Sequence, residues 1–126
     1  MPATAQHAIE VATRTTYLAE QSEPERGRYV FAYTIRITNR GSVAAQLISR
    51  HWIITDADNH VQEVPTGVAI IEPLLQPGES FEYSSGSMIA TPVGTMRGSY
   101  QMQAADGTQF EAPIPEFTLS MPRVLH

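Results

Sequence analysis

The sequence predicts an all-β chain folded as an antiparallel sandwich of two sheets with seven or eight strands, on three observations. Apolar residues recur with a period of two, the period of a strand with one buried face. No window sustains the 3.6-residue period of an amphipathic helix. Short clusters of Asn, Asp, Ser, Gly and Pro interrupt the apolar runs along the whole chain, as they do between the strands of a sandwich.

Taken in order, HAIEVATRTTYL (7–18) supplies a first strand with Ile9 and Val11 on its apolar side. QSEPERG (21–27) is a candidate for disorder, together with the first few residues and RVLH at the end. RYVFAYTIRITN (28–39) puts Tyr29, Phe31, Tyr33, Ile35 and Ile37 on one face and Val30, Ala32, Thr34, Arg36 and Thr38 on the other. Asn39, Gly41 and Ser42 supply turn chemistry, AAQLISRHWIIT (44–55) follows, and these two runs are expected to pair as a hairpin. Residues 56–59 are a polar turn, HVQEV (60–64) is the next strand of the meander, and Pro65 stops it. PTGVAIIEPLLQPG (65–78), with three prolines and two glycines, reads as an ordered connection. Residues 79–83 make a short strand with Phe81 and Tyr83 on one side, and SSGSMIATPVG carries the chain around. TMRGSYQMQ (95–103) places Met96, Gly98, Tyr100 and Met102 on one face, and Asp106-Gly107 fits a type I′ hairpin turn. The next strand begins near Thr108. Pro113 and Pro115 force a bend or an edge position before Phe117, Leu119 and Met121 alternate in the last strand. Trp52 and Tyr100 suit an immunoglobulin or fibronectin type III topology, in which an aromatic on strand C fills the core and a Tyr on strand F ties down a corner.

With 126 residues the chain is the length of one domain, 1–126, and buries roughly two-thirds of its unfolded surface without needing a disulfide or metal. It has no Cys, and its eight basic residues are all Arg. Thiolate, iron–sulfur, Schiff-base and Lys-dependent phosphate-loop chemistries are thereby excluded. The net charge of −5 and the scattered arginines argue against nucleic acid and anionic membranes as partners. The longest apolar run, Tyr29 to Tyr33, is far short of the roughly 20 residues of a membrane span, and the amino terminus lacks a signal-peptide core. A cytoplasmic address is the expectation.

No catalytic residue, cofactor or metal ligand set emerges from the residues. DADNH (56–60) begins like a calcium loop, but Val61 stands where such a loop needs Gly, and a solvated turn explains the cluster. His7, His51, His60 and His126 show no metal spacing, and His51 reads as making a structural hydrogen bond. Ser84, Ser85 and Ser87 lack the G-x-S-x-G setting of an activated serine and read as turn residues. Glu79 with Glu82 and Glu23 with Glu25 read as exposed charge, and GTMRG (94–98) lies where a strand starts. The feature without a chemical role is VAII (68–71): exposed, Val68, Ile70 and Ile71 would dock a protein partner; buried, they plug one end of the sandwich.

Five segments in order, GRYVFAYTIRITNRG (27–41), RHWIITDADNHVQEV (50–64), PLLQPGESFEYSSG (73–86), GTMRGSYQMQAADG (94–107) and FTLSMP (117–122), resemble the bacterial ApaG family. The resemblance covers nearly the whole chain and implies a fibronectin type III or immunoglobulin-like sandwich. It also implies an association with cobalt resistance and magnesium efflux, and a recognition role like that of related domains in F-box proteins and a polymerase delta-interacting protein. Family members carry G-x-G-x-x-G ahead of the P-x-L-x-PGE segment, which points to pyrophosphate. Here the stretch reads Pro65-Thr66-Gly67-Val68-Ala69-Ile70, so the middle glycine alone matches. The leading expectation is a non-enzymatic module that binds another protein. The alternative is a small-ligand module for a nucleotide, pyrophosphate or divalent metal, built on Gly67 with Arg50 or Arg97 as charge partner.

Overall fold

The structure, a computed structural model, describes residues 6–64 and 74–122. The alternating segments become strands β1 (Ile9–Tyr17), β2 (Tyr29–Asn39), β3 (Ala45–Asp56), β4 (Val61–Val64), β5 (Leu74–Leu75), β6 (Ser80–Ile89), β7 (Val93–Ala104) and β8 (Gln109–Ser120). One sheet has the order β1-β2-β6 and the other β4-β3-β7-β8, with β5 pairing to the start of β3; every pairing is antiparallel. This is the two-sheet order of an immunoglobulin or fibronectin type III sandwich.

The faces expected to be buried are buried. Phe31, Ile35 and Ile37 of β2 lie against Met96, Tyr100 and Met102 of β7 and Leu119 of β8, each no more than 1% exposed. Trp52 occupies the centre, with Tyr33 and Phe117 at 5.5 and 5.9 Å and Tyr100 at 6.5 Å between ring centres. Each such side chain contributes about 1.5–3 kcal/mol by leaving water.

The expected β2–β3 hairpin does not form, because the two strands lie in different sheets. A period of two specifies a buried face without naming the neighbour. The crossing is fixed by Asn39, 1% exposed, whose Nδ2 donates to the carbonyls of Val43 and Leu75 at 2.9 and 3.0 Å while Oδ1 accepts from Gly41 N–H at 2.9 Å. A Cβ on Gly41 would run into the backbone of Gln6, so the crossing needs glycine there. The Gln76–Glu79 turn, with Pro77 second and Gly78 third at φ 87°, seats against the same place, Gly78 N–H donating to Asn39 O at 2.7 Å.

Four further expectations change. β6 does not stop at Tyr83 but continues through Ser84, Ser85, Gly86 and Ser87 to Ile89, paired with β2 throughout. The β7–β8 hairpin is present, but its turn is not type I′: among the described residues Asn59 is the non-glycine residue with positive φ, so Asp106 keeps a negative one. Gly107 N–H donates to Ala104 O at 2.9 Å with Gly107 at φ 89°, the geometry of a type I turn followed by a glycine bulge. The two strands expected on either side of Pro113 and Pro115 are one, β8, while the edge position expected of these prolines is the one they take, since β8 is the last strand of its sheet; a register shift between Met96 and Gly98 accommodates them. Residues 21–27 are ordered, as Pro24–Arg26 forms a 3₁₀ turn closed by Gly27 at φ 66°.

Candidate functional site

The residues singled out by the sequence fall on three separate surfaces. On β3 a bulge between Leu47 and Ser49 extrudes Ile48, 38% exposed, and resets the alternation so that Arg50 shares the inward side with Trp52. The Arg50 guanidinium lies 4.6 Å from the centre of the Tyr83 ring, on the opposite sheet. Tyr83 and Tyr100 join their hydroxyls at 2.6 Å across the sandwich, so Tyr100 ties sheet to sheet rather than fixing a corner in its own sheet. Burial pushes both phenols above their ordinary range, and for Tyr100 the neighbouring Tyr83 adds to the effect.

On the outer face of the larger sheet, His51 Nε2 lies 2.6 Å from Glu63 Oε1. The β3–β4 register sets Ile53 opposite Glu63, which brings His51 to the same carboxylate diagonally. Ser49 Oγ donates to Gln101 Oε1 at 3.1 Å, and Gln101 Nε2 donates to Ser99 Oγ at 3.0 Å. Arg97 stands here, with His51, Glu111 and Glu116 around an open depression of about 420 Å³. Arg50 and Arg97 are therefore on opposite faces of β3–β7 and do not converge. Gly67, Val68, Ile70 and Ile71 lie outside the described residues.

The turn after β3 is built around Asp56, 9% exposed. Its Oδ1 accepts from the N–H groups of Asp58 and His60 at 2.9 and 3.0 Å, and Oδ2 lies 3.3 Å from His60 Nδ1. Burial raises the carboxyl, but the His60 and Asp58 N–H groups outweigh it, and the net position is below the ordinary value. Donor atoms of Asp56, Asp58 and His60 lie within 4.8 Å of one another, the one such group among the described residues. Both Asp56 oxygens are already engaged in holding the turn, which is the role expected of this cluster.

The sequence did not point to the side of the sandwich where β4 faces β6. Val61, Val64 and Met88 are 62%, 41% and 55% exposed there. Two adjoining depressions of about 330 and 430 Å³ share Ile54, Gln62 and Met88. The available signal was the parity of Met88 with Glu82 and Ser84, which becomes readable once β6 is extended past Tyr83.

No helix among the described residues is long and apolar enough to cross a membrane. The family model for the ApaG domain matches residues 19–104. Protein ApaG of Thiobacillus denitrificans is 67% identical over 121 residues, covering 95% of both chains. Protein ApaG of Dechloromonas aromatica is 60% identical over 127 residues, covering 100% of each. A crystal structure from Bordetella pertussis, described under the name ApaA, superposes with a TM-score of 0.90 at 53% identity, covering 97% of this chain and 100% of that one. With the sandwich order of its sheets, its Pro77-Gly78 turn seated on Asn39, and a family match across most of its length, the chain belongs to the ApaG family.

Proposed function

We propose that this chain is a non-enzymatic recognition module that binds another protein, working in the cytoplasm. The observation that carries this reading is that exposed Val61, Val64 and Met88 line two adjoining depressions where β4 faces β6, on a sandwich whose core is already complete without them. The outer-face polar groups support it, because His51, Ser49, Ser99 and Gln101 are committed to hydrogen bonds with neighbouring side chains rather than aligned as nucleophile and base. Any influence on Co²⁺ or Mg²⁺ homeostasis, which rests on the family resemblance, is then exerted through the partner.

The test is in-cell crosslinking followed by capture of the tagged chain, run beside assays of the pure protein with diadenosine polyphosphates. Reproducible recovery of one partner with no turnover is the expected result. Turnover of a phosphate compound with no partner recovered would overturn the reading.

A further inference from the structure

The two long sides of a sandwich are sheet edges, and an unprotected edge is a row of free N–H and C=O groups ready to pair with another strand. Here one side is protected. β8 carries Pro113 and Pro115 and packs on β1, with Thr15 Oγ1 3.5 Å from the Thr118 carbonyl. On the other side, β6 has no such device among the described residues. β6 pairs with β2 and β4 with β3, and neither has a second strand neighbour among the described residues. Residues 80–89 contain no Pro, no basic residue and no register shift. At its middle β6 reads Ser-Ser-Gly-Ser, and a Cβ on Gly86 would meet nothing nearer than Phe31 O at 3.6 Å, so bulk does not keep a strand away.

Between the two edges the surface is already shaped. The floor of one depression is Tyr33, Trp52 and Met96; the other is lined by Ile89, Asp56 and His60. No Arg among the described residues lines either depression, and Asp58 adds a second carboxylate at the Asp56 end. We infer that this side binds an extended segment of a partner protein, which adds as a strand to β6, sets an apolar side chain over Trp52 and brings a Lys or Arg to the exposed Asp58 carboxylate beside the Asp56 turn.

The inference rests on the recognition reading and names where and how it operates. Charge selects the occupant: a second copy would bring another chain of net charge −5 and another Asp56–Asp58 turn to the same place, whereas a basic segment complements both. Shape agrees, since a folded copy meets an edge with its own edge and leaves the depressions empty, while a free segment turns alternate side chains into them.

The test uses two labelled decapeptides of alternating Val and Thr, one ending in two Arg and its twin in two Glu, titrated into the ¹⁵N-labelled full chain. The expected result is shift changes and slowed amide exchange confined to 80–89 and the 56–64 hairpin, with the Arg peptide about tenfold tighter at low salt and the difference shrinking as salt rises. Met88→Asp and Gln62→Arg, both on exposed side chains, each weaken the Arg peptide about tenfold, the scale of one good contact at an interface, while Glu111→Gln leaves it unchanged. Shifts confined to the Arg97–Glu111 face would overturn the inference and leave the recognition reading standing. Protection, without peptide, of the β6 amides that do not bond to β2 would also overturn it, with sedimentation assigning the occupant to a second copy or to residues 65–73. So would the absence of binding by either peptide while the outward β6 amides exchange freely.

Discussion

Along β1 and β8 the two sheets close on each other through a threonine hydroxyl and a proline-bearing strand, whereas along β4 and β6 they stand apart over Trp52 with Val61, Val64 and Met88 left in water. The difference teaches that this molecule treats its edges unequally. Two prolines and the contact with β1 keep the β8 edge from pairing, whereas the β4 and β6 side keeps apolar side chains exposed.

Four substitutions probe the two sides, from the core outward. Trp52 belongs to the core and also floors the open side, so Trp52→Ala costs about 3–5 kcal/mol of stability, read by urea denaturation. Tyr100→Phe removes one partner of the 2.6 Å hydroxyl pair that spans the sheets and costs about 1–2 kcal/mol on the same assay.

The pH profile separates turn from core. Asp56 on the open side and Asp106 in the β7–β8 turn, the latter held down first by Thr108 N–H, both titrate below their ordinary value of 3.8. Their stabilisation is therefore full above pH 4 and lost as pH falls through the folded values, and Asp56→Asn flattens part of that acid limb. Tyr100, raised above 10.0, acts in the opposite sense: its contribution is full at neutral pH and is lost as pH rises past 10, because the unfolded phenol ionises first. Melting temperature against pH checks both limbs. The smallest effect is Met88→Asp, expected to change stability by less than about 0.5 kcal/mol, which keeps it usable as a binding probe.

How much was legible in the sequence follows from which forces act locally. The buried face of β2 and the polar turn at 56–59 were readable because alternation and Asx chemistry are properties of neighbouring residues. The family was readable because its segments recur in order. Assignment of β2 and β3 to different sheets was not, since Asn39 reaches Leu75 across 36 positions. Nor was the extent of β6: Ser-Ser-Gly-Ser has turn composition, and it becomes strand because ten residues of β2 stand opposite, Ser84 Oγ meeting Thr34 Oγ1 at 2.8 Å. Of the candidate site, charge alone marks Arg50 and Arg97 as alternatives; the outward turn of Arg97 follows from the alternation of β7, whereas the inward turn of Arg50 depends on the Ile48 bulge. Val61, Val64 and Met88 escaped notice because an exposed valine or methionine looks, in sequence, like a buried one.

Asn39 has a mechanical consequence. It stitches the end of β2 to the start of β3 and to β5, while the Tyr83–Tyr100 bond joins the two sheets farther along, so the sandwich is fastened at one end of its strands and again partway up. Two fastenings set apart along the strands oppose both sliding and rotation of one sheet over the other, which a single one would not.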